Sequence, residues 1–198
     1  MNKFLDEYVR FAEIVNTIKK GSGPALYVGS GSESQVWRIE EQERLYAVKI
    51  ANSLSIRGRR RDTAKVVMNA IMIGERANGI AGLEQLCAAS PETGATIYDF
   101  ASGQSVTALD EAFARNNVTD EQIDTLIDTV AAATEAGLMI DGLNDSGANA
   151  FYDDEAGFTL IDFRAANENL TFKQNMKYAL RSLGRVGLVL AERTGYQI

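Results

Sequence analysis

A lysine set in an apolar run constrains the fold of this 198-residue chain more than any other feature. The run Leu45-Tyr46-Ala47-Val48-Lys49-Ile50 has a strand pattern, and aliphatic residues flank Lys49 on both sides. A lysine that lies half inside a core is costly unless an anion compensates its charge. The sequence therefore predicts a strand at this position, with Lys49 directed at a bound anion.

A glycine-rich turn precedes that strand, between two further strand-like runs. Gly29 and Gly31 allow backbone N–H groups to approach phosphate oxygens without interference from a Cβ atom, and the serines of the turn add hydroxyl donors. The predicted nucleotide contacts of this turn are Gly29, Ser30, Gly31, Ser32, Ser34 and Val36. An ordinary hairpin turn also explains a Gly-x-Gly pattern, so its pairing with Lys49 is what favours phosphate binding.

Composition excludes several classes of function. The net charge of −7 argues against general binding to nucleic acids or anionic membranes, which both require a basic surface. The chain has no histidine, which excludes Ser-His-Asp and Cys-His catalysis and histidine-based metal sites. Its one cysteine, Cys87, excludes an intramolecular disulfide. The N-terminus lacks a signal-peptide pattern, and no apolar run reaches the length of a membrane span.

The first hundred residues predict a five-stranded antiparallel sheet with two helices. Strands are expected at about 25–28, 35–39, 44–50, 83–89 and 95–100, and helices at 4–18 and 63–77. Glu75, in the second helix, is the natural partner for Lys49, although a surface salt bridge with Arg76 or Lys65 is the alternative. The basic run Arg57-Gly58-Arg59-Arg60-Arg61 is either a solvated loop or a docking point for an acidic or phosphorylated partner.

The second half of the chain predicts helices around one loop-rich stretch. A short helix is expected at 107–116, and a longer one begins at Thr119 with Gln122 at the capping-box position and ends at Gly137. The stretch 171–193 is predicted to be helical as well.

Carboxylates and amides are densest between those helices, in residues 138–164. Asn149 precedes a predicted hairpin and Asp162 follows its second strand, an arrangement that suits two ligands of Mg²⁺. Capped turns are the alternative explanation for these residues. Two further aspartates, Asp141 and Asp145, lie upstream of Asn149 and are candidates for the catalytic carboxylate.

Together these motifs resemble the protein-kinase-like fold over the whole chain. Residues 29–36 are similar to the glycine-rich loop, Ala47-Val48-Lys49 to the strand lysine motif, and Asp162-Phe163-Arg164 to the Asp-Phe-Gly motif. The Asp-Phe-Arg variant, the small size and the lack of an activation segment resemble the minimal kinases delivered by bacterial type III secretion, of the OspG/NleH and HopBF types.

The resemblance implies an α+β, minimal bilobal kinase-like domain over residues 1–198. Its N-lobe, about 1–100, would hold the five-stranded antiparallel sheet, and its reduced helical C-lobe, about 101–198, would lack an activation segment. ATP and Mg²⁺ are the implied cofactors, and the segment that begins at Asp99 would contact adenine. We expect a monomer that leaves the bacterial cytoplasm, is secreted into the host cytoplasm and phosphorylates serine or threonine of a host protein, a heat-shock chaperone in HopBF-type kinases or ubiquitin-pathway machinery in OspG-like ones.

One departure from the kinase pattern leaves alternatives open. The usual His-Arg-Asp motif has no counterpart, and the position five residues before Asn149 is Asn144. Asp141 is the favoured catalytic residue, because it follows the strand-like Leu138-Met139-Ile140, and Asp145 is the second candidate. If neither acts, the protein is a nucleotide-binding pseudokinase that serves as an interaction module. A small-molecule kinase is disfavoured by the short chain after Asp162-Phe163-Arg164.

Overall fold

The computed structural model describes residues 2–30, 34–54, 62–140, 149–166 and 169–197. These residues form an α+β structure with a five-stranded antiparallel sheet, which confirms the predicted class and sheet. Contacts between Cα atoms divide the chain into two compact units. The first unit contains Met1–Glu75 and Gln85–Phe100, and the second contains Arg76–Glu84 and Ala101–Ile198. The assignment of one kinase-like domain with two lobes stays a prediction.

The sheet of the first unit has the strand order β1-β2-β3-β5-β4. Its strands are β1 (Leu26–Ser30), β2 (Ser34–Glu41), β3 (Arg44–Ala51), β4 (Leu86–Ser90) and β5 (Ala95–Asp99). β3 lies in the centre and pairs antiparallel with β2 on one side and with β5 on the other. The backbone ladder therefore fixes the position of every residue of β3.

Helices cover this sheet on two faces. The N-terminal segment consists of α1 (Lys3–Glu7), a 3₁₀ turn (Tyr8–Phe11) and α2 (Ala12–Lys19), so the helix predicted at 4–18 is interrupted. Four of its buried side chains pack in one core cluster with β2, β3 and β5. The main members of this cluster are Tyr8, Phe11, Val15, Ile18, Ile39, Tyr46, Val48 and Ile97. The helix α3 (Thr63–Ala77) contributes Val67 and Ile71 to a second cluster with Phe4, Leu86 and Ala89.

The second unit is mainly helical. It contains a 3₁₀ turn (Val106–Ala108), α4 (Glu111–Asn117), α5 (Asp120–Glu135), α6 (Phe172–Ser182) and α7 (Gly184–Thr194). The capping box predicted at Thr119 and Gln122 is confirmed, because each residue bonds the backbone of the other. The helix predicted at 107–116 is shorter: it begins after Asp110, whose carboxylate accepts a 2.7 Å hydrogen bond from the Phe113 amide.

The single helix expected over 171–193 is two helices in the structure, which corrects that prediction. The chain bends at Leu183 and at Gly184, which has a φ of +56°. A glycine at 187 lets the two helices approach closely, since a Cβ atom there would lie 1.8 Å from the carbonyl oxygen of Leu180. Apolar periodicity continues through the bend, so the pattern alone does not reveal it.

Short strands complete the second unit. β6 (Gln104–Ser105), β8 (Ala150–Asp153) and β9 (Gly157–Leu160) form a three-stranded sheet in the order β6-β8-β9. β7 (Leu138–Ile140) pairs antiparallel with β10 (Phe163–Ala165). Within the described ranges, no helix is long and apolar enough to cross a membrane.

Candidate functional site

Lys49 lies in the centre of the β3 strand, opposite Val36 of β2 and Thr96 of β5. Side chains alternate across a strand, so Lys49 and Ala47 face away from the core that contains Tyr46 and Val48. Lys49 is half-buried, as the sequence predicts. The paired strands on both sides therefore fix the position of the Lys49 backbone.

An aromatic ring flanks the lysine head group. The Nζ atom of Lys49 lies 4.4 Å from the ring centroid of Tyr98, within the range of a cation–π contact. Across the strands, Ala47 is the register partner of Tyr98. The result is an ammonium group beside small and aromatic apolar surface, which suits a ligand with both a flat apolar part and an anionic part.

The predicted glycine-rich turn connects two strands that do pair as a hairpin. Gly29 is opposite Val36, and Ser30 is opposite Gln35. Gly31 and Ser32 lie outside the described residues, and their phosphate contacts stay predictions. A Cβ atom on Gly29 would meet nothing within 4 Å, and the φ of Gly29 is not in the left-handed region. Neither packing nor backbone strain within the chain therefore requires a glycine at position 29.

Glu75 has a partner that the sequence did not indicate. Its Oε1 atom accepts a 2.7 Å hydrogen bond from the Nδ2 atom of Asn2, the residue that caps α1. Glu75 is exposed near the end of α3. The predicted ion pair between Glu75 and Lys49 stays a prediction, and it requires the carboxylate to share or exchange its bond to Asn2.

Asp99 is held by the first unit through its side chain and its backbone. Its Oδ1 atom lies 3.2 Å from the Nη2 atom of Arg44, and its amide donates to the carbonyl of Gln85 at 3.0 Å. The amide of Phe100 donates to the carbonyl of Leu45 at 3.1 Å. The amides of Asp99 and Phe100 are thus used by the sheet, and the adenine contact of this segment stays a prediction.

The same region contains the single cysteine. Burial raises the pKa of the Cys87 thiol to about 12, and the negative charge of Asp99 acts in the same direction. Thiols react as thiolates, so Cys87 is not a nucleophile at neutral pH.

The two candidate metal ligands, Asn149 and Asp162, flank a hairpin of the second unit at its base. β8 and β9 pair with Ala150 opposite Leu160, and the amide of Ile161 donates to the carbonyl of Asn149 at 2.9 Å. Asn149 therefore lies opposite Ile161, one residue from Asp162. The predicted hairpin between the two residues is present, and their role as metal ligands stays a prediction.

Asp162 has an unusual backbone conformation. Its φ is +61°, in the left-handed region that residues with a Cβ atom rarely occupy, and among the described non-glycine residues it shares this conformation with Gln42 and Glu43 of the β2–β3 turn. Asp162 is exposed, whereas Asn149 is only 8% exposed. Such conformations cost about 1–3 kcal/mol and concentrate at functional sites, where surrounding structure imposes them.

The strand that follows Asp162 pairs with the strand that ends at Ile140. Phe163, which follows Asp162, is the register partner of Ile140, which precedes Asp141. Asp141 and Asp145 lie outside the described residues, and their roles stay predictions. The described backbone places Ile140, the last described residue before Asp141, opposite Phe163.

Sequence analysis missed a buried asparagine that supports these strands. Asn175 of α6 is fully buried, and its side chain makes three hydrogen bonds of 2.9 Å. Its Oδ1 atom accepts from the Ile140 amide, and its Nδ2 atom donates to the carbonyl of Leu138 and to the hydroxyl of Thr134. The sequence signal is an amide among the apolar residues of an amphipathic helix, which indicates a buried polar contact.

A buried carboxylate was missed as well. Glu84 is 7% exposed, and its amide donates to the carbonyl of Leu160 at 3.0 Å. Leu83 forms a parallel bridge to Leu160, so this segment extends the sheet of β9 two residues before Asp162. A carboxylate is rarely buried unless it is paired. The sequence pattern of residues 76–84 does not indicate which group would pair with Glu84.

The donors at the hairpin base suit a hard cation. Among the described residues, no group of three or more cysteine or acidic side chains could hold a metal ion. Asn149 and Asp162 supply an amide and a carboxylate oxygen, which is a small set of the kind that Mg²⁺ uses when phosphate oxygens and water complete its shell.

Comparison with known proteins leaves the family open. No protein-family model matches the chain, and no curated protein matches its sequence. The kinase-like interpretation therefore depends on the motifs of this chain and on the geometry of the residues that carry them.

Proposed function

We propose that the protein is an ATP- and Mg²⁺-dependent protein kinase that phosphorylates serine or threonine. The observation that carries this proposal is the hairpin of the second unit, which Asn149 precedes and the left-handed, exposed Asp162 follows. Residues in such conformations concentrate at functional sites, and the exposed carboxylate of Asp162 is accessible to a ligand.

Lys49 and the glycine turn support a nucleotide as the ligand. Lys49 combines an ammonium group with adjacent apolar and aromatic surface, and the purine and phosphates of ATP need both kinds of contact. At Gly29, internal packing does not require a glycine, and close approach of a phosphate to the backbone supplies a reason for one. In the proposed kinase, Lys49 binds the α- and β-phosphates, and Glu75 orients it.

The proposed chemistry is phosphoryl transfer. The substrate hydroxyl oxygen forms a bond to the γ-phosphorus of ATP while the bond from that phosphorus to the β–γ bridging oxygen breaks, and ADP leaves. Bound Mg²⁺ would neutralise charge on the phosphate oxygens. Asn149 and Asp162 are the proposed ligands of the ion, and Asp141, or else Asp145, accepts the hydroxyl proton.

A nucleotide-binding pseudokinase is the second candidate, because the position of the usual catalytic aspartate is Asn144. It would share the ATP contacts and act as an interaction module. The proposed biological setting follows from the resemblance to type III effectors: secretion into a host cell and action on a host chaperone or a component of the ubiquitin pathway.

Transfer of labelled γ-phosphate in a eukaryotic lysate tests the proposal. Wild-type protein should label a discrete host protein, and Lys49→Ala and Asp162→Ala should each reduce labelling by about 1,000-fold or more. Lys65→Ala and Asp124→Ala, which remove exposed charges of the same type from α3 and α5, should label normally. Full labelling by Asp162→Ala would refute the proposed site. Binding of ATP without any labelled protein would favour the pseudokinase.

A further inference from the structure

One side of α6 carries a basic face made of Lys173, which is exposed, and of Lys177 and Arg181, which are half-buried. These residues recur every four positions, so they lie along one side of the helix, about 12 Å long from first to last. The opposite side of α6 is buried, and its members are Asn175, Met176, Ala179, Leu180 and Ser182.

The stability of α6 does not explain this face. Like charges four residues apart destabilise a helix by about 0.2–0.5 kcal/mol per pair, and the face contains two such pairs. Lys173 also lies in the first turn, where the helix dipole disfavours a cation. Arg181, in the last turn, is favoured by the dipole, but no acidic residue occurs in α6 to offset the repulsion within the face.

The surroundings make the face more unusual. Residues 76–84 and 101–198 contain eight basic and sixteen acidic residues, a formal charge of −8. Two other arginines of this unit are paired, Arg115 with Glu192 at 2.8 Å and Arg193 with Asp120 at 2.5 Å. In the part of the chain that the structure describes, no ion pair joins the basic face to a carboxylate.

We propose that the basic face of α6 docks an acidic segment of a partner protein. A segment with carboxylates one helical turn apart would match the spacing of Lys173, Lys177 and Arg181. The neighbouring helix favours a short protein segment over an extended polyanion. α5 packs against α6 and exposes Asp124 and Asp128, which would repel a nucleic-acid strand or an anionic membrane that covered both helices.

This inference does not depend on the proposed kinase activity. The basic face lies on a different element from Lys49, Asn149 and Asp162. Asp162→Ala should therefore bind an acidic peptide as wild type does, whether or not the protein transfers phosphate.

Fluorescence anisotropy with a designed peptide tests the docking surface. The probe is a labelled alanine-based peptide with glutamate at every fourth position, and its glutamine counterpart is the neutral control. Wild-type protein should bind the glutamate peptide and not the glutamine peptide, with an affinity that falls as salt is added. The double variant Lys173→Glu/Lys177→Glu should bind at least about tenfold more weakly.

A matched variant separates the face from net charge. Lys20→Glu/Lys65→Glu changes the formal charge by the same amount at exposed positions of the first unit and should bind within about twofold of wild type. Lys173→Gln/Lys177→Gln, which keeps helix-forming side chains, should also lose binding while its circular dichroism is unchanged.

Three results would overturn the proposal. Equal loss in the matched variant would show that net charge alone governs binding. Undiminished binding by Lys173→Gln/Lys177→Gln would place the contact elsewhere. Tighter binding of a single-stranded oligonucleotide or of phosphatidylserine vesicles than of the glutamate peptide, lost in the same variant, would assign the face to another kind of partner.

Discussion

The candidate residues Lys49, in the first unit, and Asp162, in the second, are positioned in different ways. Lys49 lies in the middle of a five-stranded ladder, with a paired strand on each side. Asp162 lies between a short hairpin and a pair of three-residue strands, in a left-handed conformation. A ladder distributes the support of one residue over many backbone bonds. Asp162 depends on few bonds, and one buried side chain, Asn175, makes two of those that hold the adjacent β7 strand.

Substitutions around Lys49 and substitutions around Asp162 should therefore have unequal effects on the protein. Changes around Lys49 should alter stability little, because its position does not depend on any single side chain. Changes that loosen β6 to β10 should disturb Asp162 directly. The first unit also contains Trp37 and Cys87, the single tryptophan and the single cysteine, which can report on that unit separately.

The largest effect is expected at a crowded glycine of the second unit. Gly103 has a φ of +84°, and a Cβ atom there would lie 2.0 Å from the carbonyl oxygen of Tyr152. Backbone cannot move aside as a side chain can, so Gly103→Ala should destabilise the protein by about 3 kcal/mol or more. Urea unfolding monitored by circular dichroism measures this loss.

A glycine of the first unit provides the control. Gly21 also has a positive φ, +71°, but a Cβ atom there would meet nothing within 4 Å. Gly21→Ala should cost only about 1 kcal/mol, the strain of the conformation itself. Equal losses in the two variants would show that crowding at Gly103 has no role.

The next effect concerns Asn175. Asn175→Ala leaves the Ile140 amide and the Leu138 carbonyl without their partner inside the protein, which should cost about 2–4 kcal/mol. Under native conditions, Mg²⁺-dependent ATP binding should weaken while the Trp37 emission spectrum stays unchanged.

Thr96→Val is the corresponding change beside Lys49. It removes a long hydrogen bond, 3.5 Å, from the Thr96 hydroxyl to the Lys49 carbonyl. The expected loss is at most about 1 kcal/mol, with normal ATP binding. If Thr96→Val impairs ATP binding as much as Asn175→Ala does, the contrast between the support of Lys49 and the support of Asp162 is wrong.

Close to pH 9, the smallest effect is the pH dependence at Cys87. Its pKa is about 12 in the folded protein against an ordinary value of 9.0, so the folded protein keeps the proton between those pH values while the unfolded chain loses it. The unfolded chain then binds fewer protons, and stability should fall as pH rises above 9. Cys87→Ala should reduce this slope.

Alkylation provides a second measurement of the same shift. Iodoacetamide at pH 9 should modify Cys87 at least about tenfold more slowly in the folded protein than in guanidinium. Equal rates would show that the thiol is not protected in the first unit.

Sequence analysis predicted the features that depend on local pattern. Strand alternation and turn residues were enough for the five antiparallel strands, and the Thr119 capping box follows from residues three positions apart. Asn149 and Asp162 could be placed at the two ends of one hairpin, because the strand and turn residues between them predict that hairpin. Each of these signals lies within a short stretch of chain.

Features that depend on distant partners could not be predicted. Glu75 bonds Asn2 from 73 residues away, and the importance of Asn175 is set by backbone groups more than 30 residues upstream. The bend between α6 and α7 requires glycines that periodicity treats as ordinary helix positions. Tertiary packing decides these features, and local propensity does not reveal tertiary packing.

Calorimetric titration with ATP, in Mg²⁺ and in EDTA, tests the central claim that Lys49 and Asp162 serve one nucleotide. Wild type should bind ATP more tightly with Mg²⁺, Asp162→Ala should lose that Mg²⁺ dependence, and Lys49→Ala should bind weakly in both conditions. Asp124→Ala should match wild type. The account is contradicted if Asp162→Ala retains the full Mg²⁺ effect, or if wild-type protein does not bind ATP.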